Sequence, residues 1–293
     1  PLGVFSGWVY YHWYDRMLDI NNLGFLRRNN YSQTKIGVKI QSLESLNIFR
    51  KFHALFTLES ESNISGLDLG RTMEFNYDIQ FHNFWNINGG IYKILEHFDD
   101  RKIIMEFDRQ NRNNYNQYGP IIKIPEVNGI YLNIFSDKHR ALGGVLSFTL
   151  AKNSINDKEN SRYFELNYKP SSHLIFSTSY DRYRLNKQHH FIETLWELEK
   201  DSSQHFIFSD LKRNIDILTL RSTANLNKNV SLTGYLEIYT NYDIFDKSSY
   251  SEYIDSIDMY DFNSDYIKGK GIWVSEMEQS MPVYSDDIET VNS

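Results

Sequence analysis

Two carboxylates in one short stretch, "RTMEFNYDIQFH" (71–82), are the first candidates for acid–base chemistry. Glu74 and Asp78 fall on the same side of an alternating pattern, four residues apart. On a strand this spacing corresponds to roughly 13 Å, at about 3.3 Å per residue. Glycosidase carboxylates that act on one bond lie about 5 to 10 Å apart. The spacing therefore predicts a polar surface rather than a catalytic pair.

A second candidate is "HHFIETLWELEK" (189–200), where His189, His190, Glu193 and Glu197 could ligate a metal. In a helix His190 and Glu193 would be neighbours, whereas adjacent histidines on a strand point to opposite sides. The letters fit either a helix or a strand, and we favour a hairpin arm. Because no third ligand has a defined spacing, the segment predicts a polar arm rather than a metal site.

Acidic residues are frequent in the segment 243–265. They are Asp243, Asp246, Glu252, Asp255, Asp258, Asp261 and Asp265. Ca²⁺ prefers oxygen ligands, but the segment has no glycine and no EF-hand spacing, which favours an acidic loop. A Gly-x-Ser-x-Gly nucleophile motif is also missing, so Ser177 and Ser179 fit a polar strand face. The sequence predicts no catalytic residue, no metal and no cofactor.

The elements that must position these residues are strands with one apolar and one polar face. In 71–82, one side carries Met73 and Phe75 while the other carries Glu74 and Asp78. The same period of two recurs along the chain and predicts about eleven strands. Short connections near 86–88 and at 136–140, 169–172 and 227–229 alternate with longer polar segments. These are 15–31, 59–70, 98–120, 152–160, 184–204 and 243–268. This rhythm is typical of an outer-membrane barrel.

Composition excludes several classes of protein. The net charge is −7 with a pI of about 5.7, which argues against a nucleic-acid partner. No stretch approaches 20 apolar residues, so a transmembrane helix is excluded. The chain has no cysteine and therefore neither a disulfide nor a thiolate metal site. Aromatic residues make up 15% while mean hydropathy is −0.53, as strands between lipid and water would give.

Charged and polar residues on the polar side of the pattern would line the lumen of such a barrel. The lumen-facing candidates are Lys35, Lys39, Arg71, Glu74, Asp78, His82, Glu165, Asp181, Arg221 and Glu237. We expect them to form a solvated network rather than a catalytic site.

Several stretches resemble a family of uncharacterised outer-membrane proteins common in Bacteroidota. They are "NNLGFLRRNNY" (21–31), "FHNFWNINGGI" (81–91), "NYKPSSHLIFSTSYDRY" (167–183) and the hairpin at 205–243. In that family a carbohydrate-binding family 9-like β-sandwich precedes a C-terminal barrel, and the likeness covers roughly residues 1–262. Nothing here looks like the sandwich, so its sugar binding is not carried over. The chain ends in Ser293 rather than in an aromatic residue.

The resemblance and the strand pattern together predict an all-β, antiparallel, transmembrane outer-membrane β-barrel, seen in part. Residues 1–268 would form the C-terminal part of the barrel and 269–293 an unassigned tail. Because closed single-chain barrels have an even strand number, about eleven strands indicates truncation or a miscounted strand.

The predicted role is a channel or scaffold for envelope transport in a Gram-negative outer membrane, with outer-membrane lipid and other envelope proteins as partners and the ligand unknown. Two alternatives stay open: a soluble secreted glycan-binding β-sheet protein and a membrane-associated hydrolase.

Overall fold

A computed structural model describes most of the chain up to residue 254 and four short pieces beyond it. The described residues are 3–15, 18, 28–42, 44–101, 104–106, 117–118, 121–196, 204–254, 259–261, 267–268, 272–273 and 282–283. Within these ranges, side chains are described except at 104–106, 117–118, 187–196, 204–208, 246–254 and in the pieces beyond 254.

Every regular element of the described residues is a strand. The first ten are β1 (Val4–Tyr14), β2 (Tyr31–Gln41), β3 (Phe49–Ser62), β4 (Asp68–Phe81), β5 (Asn86–Ile94), β6 (His97–Asp99), β7 (Ile104–Glu106), β8 (Gln117–Tyr118), β9 (Ile121–Ile124) and β10 (Val127–Phe135). The others are β11 (Leu142–Asn153), β12 (Lys158–Ser171), β13 (Leu174–Trp196), β14 (Gln204–Asn227), β15 (Val230–Ile254), β16 (Met259–Asp261), β17 (Ile267–Lys268), β18 (Ile272–Trp273) and β19 (Pro282–Val283). No helix in the described part of the chain is long and apolar enough to cross a membrane.

The main sheet has twelve strands in the order β1-β2-β3-β4-β5-β10-β11-β12-β13-β14-β15-β17. Eleven of them have 9 to 25 residues, and β17 has two. All pairings of described register in this sheet are antiparallel. The expected all-β antiparallel class and the count of about eleven strands are confirmed. The order begins at β1 and ends at β17, so the described strands form an open sheet.

Tight turns join the strands at one end of the sheet, at residues 82–85, 136–141, 172–173 and 228–229. The expected turn near 86–88 is wrong, because those residues already belong to β5 and the turn lies just before them. At the other end four expected long loops are also wrong in their bounds. The strands leave only 63–67 between β3 and β4, 154–157 between β11 and β12, and 197–203 between β13 and β14, and β15 runs to Ile254, inside the expected loop 243–268. The strand interpretation of 189–196 is confirmed, since β13 continues to Trp196.

Four glycines stand opposite an aromatic side chain on the neighbouring strand. A Cβ added at Gly129 would lie 2.1 Å from the Tyr92 ring, and one added at Gly37 would lie 2.3 Å from Trp8. Gly89 is covered in the same way by Tyr77, and Gly90 by Tyr131 together with Asn76. In an antiparallel pair these partners share one face, so the ring fills the space over the glycine. The pairs fix the register of β1 to β2 and of β4 to β5 and β10.

Contacts divide the chain into two compact units. The first is Pro1–Leu95, Glu126–Asn186 and Arg213–Asp243, and the second is Glu96–Pro125, Lys187–Lys212 and Ile244–Ser293. The first contains most of the main sheet. The second contains a three-stranded sheet, in which β9 lies between an antiparallel β6 and a parallel β16. The predicted boundary at residue 268 is not tested by this division and stays a prediction.

The described core of the second unit is small. Ile122 and Leu211 are its buried apolar side chains, and Ser209 is fully buried with them. An ion pair of 2.9 Å between Lys123 Nζ and Glu96 Oε1 ties the strand β9 to the residue before β6.

Candidate functional site

One face of the main sheet is apolar from strand to strand and is exposed. A single row of ladder partners crosses five strands, from Phe56 through Phe75, Ile91 and Ile130 to Leu150. Their exposed fractions are 42, 41, 56, 51 and 54%. Large apolar side chains at these positions would be buried in a soluble sheet that packed on a second layer.

The apolar face continues beyond this row on both sides. Its members are Phe5, Val9, Ile36, Val38, Leu58, Met73, Ile134, Leu146, Phe148, Phe164, Leu166, Phe176, Leu220, Leu236 and Ile238. On β11 the apolar face extends from Leu142 to Leu150, and on β14 it extends from Leu218 to Leu226, so each strand spans nine residues of the band. A transmembrane strand needs about 9 to 11 residues, so the height of the band matches the hydrocarbon layer of a bilayer.

The opposite face is polar and less exposed. Thr57 is only 5% exposed, and its ladder partner is Glu74. The side chains of Glu59 and Asp78 are 20 and 31% exposed. On the main-sheet strands from β2 to β13, the usual relation between polarity and exposure is therefore inverted, because the charged face is the more enclosed one. We call this surface the polar face and treat it as the candidate functional site.

The strands β2 and β3 carry the densest group of hydrogen bonds on the polar face. Lys35 Nζ lies 2.6 Å from Glu59 Oε2, and Gln33 Nε2 donates to Glu61 Oε1 at 3.0 Å. Gln33 also donates to Glu59, and the Tyr31 hydroxyl donates to Glu61. Two carboxylates thus share a cation and three neutral donor contacts, which compensates their partial removal from water.

Amide side chains form a ladder across β4, β5 and β10. Asn86 Nδ2 donates to Asp78 at 3.1 Å, and Asn133 Nδ2 donates to Asn88 at 2.8 Å. The Tyr131 hydroxyl donates to Asn76 Oδ1. On the far side of Asp78, His53 Nδ1 lies 4.0 Å from its carboxylate. This part of the polar face is rich in neutral donors and acceptors, a surface suited to water or hydroxylated solutes.

Eight of the ten predicted lumen candidates share the polar face. They are Lys35, Lys39, Glu74, Asp78, Glu165, Asp181, Arg221 and Glu237. The structure does not bring Glu74 and Asp78 together, since their ladder partners are Thr57 and His53 respectively. The remaining two candidates, Arg71 and His82, lie elsewhere.

Arg71 lies on the apolar face, because it is two residues before Met73 in β4 and side chains two apart on a strand point to the same side. Its Nη2 binds Asp68 at 2.7 Å. The expected network of Arg71 with the polar-face carboxylates is therefore not formed. His82 follows the last residue of β4 and hydrogen-bonds the Leu46 carbonyl at 3.0 Å. It belongs to the turn end of the sheet rather than to the strand face.

The candidates for catalysis and metal binding remain without support in the described part of the chain. No group of three or more His, Asp or Glu residues there could hold a metal ion. Ser177 and Ser179 lie on the polar face, and neither has a described contact with a histidine. Asp243 is bound by Arg213 at 2.7 Å. The side chains of the other acidic residues of this segment, and those of His189, His190, Glu193 and Glu197, lie outside the described part of the structure.

Sequence reasoning missed Glu61 and Tyr31, which belong to the β2–β3 group. The reason is that residues 59–70 were expected to be a loop, while β3 runs on to Ser62. Ser60 and Ser62 stand on the apolar side of that extension, so the alternation of apolar and polar residues disappears there. The signal that could have found it is the repeated Glu-x-Glu opposite Gln33 and Lys35 in a hairpin register.

The comparison with protein families gives one match, to the family described as "Domain of unknown function (DUF5916)", over residues 3–256. The chain belongs to the DUF5916 family. The match covers every long strand of the main sheet, including both of its faces. Neither a curated protein nor a solved structure matches the chain.

Proposed function

We propose that this DUF5916 chain forms part of the wall of a transmembrane β-barrel in a Gram-negative outer membrane. The apolar face would meet lipid and the polar face would line the lumen. One observation carries the proposal, namely the inversion of polarity and exposure in the main sheet. In a bilayer the exposed row from Phe56 to Leu150 faces hydrocarbon, and the hydrogen-bonded polar face is hydrated from the lumen.

A soluble glycan-binding sheet protein would need a cover for the apolar face. Side chains such as Ile91 and Leu150 retain more than half of their surface exposed, so no described part of the chain supplies that cover. Each such side chain would gain about 1 kcal/mol or more by leaving water, given about 1.5 to 3 kcal/mol for complete burial. Lipid satisfies this requirement along the whole band.

The role that this lumen favours is transport of a solute, or a scaffold for transport, rather than catalysis. The polar face presents paired charges, such as Lys35 with Glu59, together with neutral amides and hydroxyls. A lumen of this kind suits a hydrated solute or a polypeptide on its way through the envelope. We propose a channel or scaffold for envelope transport.

Labelling on β11 tests the proposal. The chain has no cysteine, so single cysteines at 145–150 can be placed without interference. In protein refolded into phosphatidylcholine vesicles, a lipid-dissolved photoprobe should mark positions 146, 148 and 150, and a water-soluble thiol reagent should mark 145, 147 and 149. If folded protein showed no photolabel at any of the three even positions, the membrane proposal would be wrong.

A further inference from the structure

Five cationic side chains lie on the apolar face at the end of its apolar band, on β11, β12 and β13. Lys152 stands directly opposite Lys158 in the β11–β12 ladder, and Arg162 stands directly opposite Arg182 in the β12–β13 ladder. Arg184 is the next residue along the same face of β13. Four of the five are exposed, and Arg184 is partly so. We call these five residues the basic cluster.

Like charges placed directly opposite on neighbouring strands repel and destabilise a sheet. In the described part of the chain one carboxylate lies near these cations, since Asp216 Oδ2 lies 2.5 Å from Arg184 Nη2, and its Oδ1 lies 3.9 Å from Arg182 Nε. Among the residues that the structure describes, Lys152, Lys158 and Arg162 have no ion-pair partner. The basic cluster therefore carries an uncompensated positive charge.

Two other cations at the same end of this face provide the contrast. Arg71 binds Asp68 at 2.7 Å, and Lys93 binds Glu126 at 2.9 Å. The hydrogen bond from Lys93 holds the pKa of Glu126 below its ordinary value, so that the pair stays charged. The terminal cations of β4 and β5 are thus neutralised, whereas within the described chain Lys152 on β11 and Lys158 and Arg162 on β12 are not.

The apolar band begins directly beside the cluster. Phe164 follows Arg162 on the same face of β12, and Phe148 is the ladder partner of Arg162 on β11. Two residues along a strand correspond to about 7 Å. An anion held by the cluster would therefore lie at the edge of a surface that accepts hydrocarbon. Guanidinium groups bind phosphate through paired hydrogen bonds, and here two arginines are ladder partners on the same face.

We propose that the basic cluster binds the phosphate group of an anionic membrane lipid whose acyl chains lie along the apolar band. The proposal rests on the proposed membrane function and adds a specific lipid site to it. A lipid is favoured over free phosphate because the anion site and the hydrocarbon surface are continuous on β12. The bound phosphate would lie between Arg162 and Arg182 and remove the repulsion within that like-charged pair.

The experiment measures the thermal unfolding temperature of the protein in neutral detergent against added lipid. Dioleoyl phosphatidylglycerol is compared with dioleoyl phosphatidylcholine, which has the same acyl chains, and with inorganic phosphate at equal concentration. The test variant is Arg162→Gln/Arg182→Gln. The control variant, Lys138→Gln/Lys228→Gln, removes the same charge from exposed turn residues at the opposite end of the sheet.

We expect phosphatidylglycerol to raise the unfolding temperature more than either comparison compound. The test variant should bind it roughly 25-fold more weakly, at roughly fivefold for each cation near a lipid surface, and the control variant should bind as the native protein does. Without anionic lipid the test variant should be at least as stable as the native protein, because a repulsive pair has been removed. A purely structural role for Arg162 would instead lower stability in every condition.

Three results would overturn the lipid site: equal responses to the two lipids, full phosphatidylglycerol binding by the test variant, or equal protection by inorganic phosphate. Insertion is scored separately by flotation with phosphatidylcholine vesicles. Protein that floats but shows no preference for phosphatidylglycerol contradicts the lipid site alone. Protein that does not float contradicts the proposed membrane function itself.

Discussion

An arginine placed at Leu146 should separate a lipid-facing from a water-facing sheet by the size of its cost. Leu146 lies in the middle of β11 with Ile134 and Phe164 as its ladder partners, and it is 38% exposed. On a surface in water such a substitution changes the free energy of unfolding by about 0.5 kcal/mol or less. At the middle of a bilayer it costs about 2 to 4 kcal/mol. We expect the larger value for Leu146→Arg.

The adjacent residue provides a matched control. Ser147 lies on the polar face between Asn133 and Tyr163, so Ser147→Arg adds the same side chain at the same depth. The next strand in that row carries Asp181, whose buried Oδ1 has no hydrogen-bond partner among the described atoms. An arginine there would have a carboxylate within its reach. We expect a cost of about 1 kcal/mol or less, as for other lumen substitutions.

Urea unfolding from phosphatidylcholine vesicles, followed by tryptophan fluorescence, measures both variants. The two costs should differ by at least about 1 kcal/mol, so the unfolding constants should differ by roughly fivefold or more, since about 1.4 kcal/mol corresponds to a factor of ten. Equal costs for the two substitutions would refute the assignment of the faces. A cost below about 1 kcal/mol for Leu146→Arg would show that this face does not lie in hydrocarbon.

Two further predictions concern packing and pH. Gly129→Ala should cost about 1 to 3 kcal/mol in the same assay, because the new Cβ would meet the Tyr92 ring at 2.1 Å. The control Gly7→Ala meets only ordinary contacts and should be nearly neutral. Equal costs for the two variants would contradict the pairing of glycine with the ring. In the turn 136–141, hydrogen bonds from the backbone and ring of His139 hold the pKa of Asp137 below its ordinary value of 3.8. The stability that the Asp137 carboxylate contributes is complete above that pH and is lost as the pH falls through the lower pKa of the folded state. Asp137→Asn should therefore flatten the acidic part of a plot of unfolding free energy against pH. Parallel plots for the variant and the native protein would contradict this role of Asp137.

The strand faces could be predicted because they depend on local alternation. Met73, Phe75 and Glu74 assign β4 and both of its faces without any knowledge of partners. The same rule should have assigned Arg71 to the apolar face, since its parity is that of Met73. A cation at the end of an apolar row is typical of a bilayer interface rather than of a lumen.

The remaining features depend on contacts between distant segments. The parallel pairing of β16 with β9 joins Met259 to Ile121 through strands of three and four residues, too short to show any period. The opposition of Arg162 to Arg182 likewise depends on the β12–β13 register. Alternation shows that both point to the same face, but only the register shows that they are neighbours.

The two faces of this sheet require different surroundings, and the wall of a membrane barrel would provide both. Ile91, Ile130 and Leu150 require a partner without hydrogen bonds, because nothing in the described chain covers them. Glu59 and Asp78 require water or donors, because a buried carboxylate without them would lose its charge. A bilayer on one side and a hydrated lumen on the other satisfy each face. The basic cluster lies at the end of the apolar band, on the side of the sheet that would meet lipid in the proposed membrane arrangement, and there a lipid headgroup would supply its missing counter-charge.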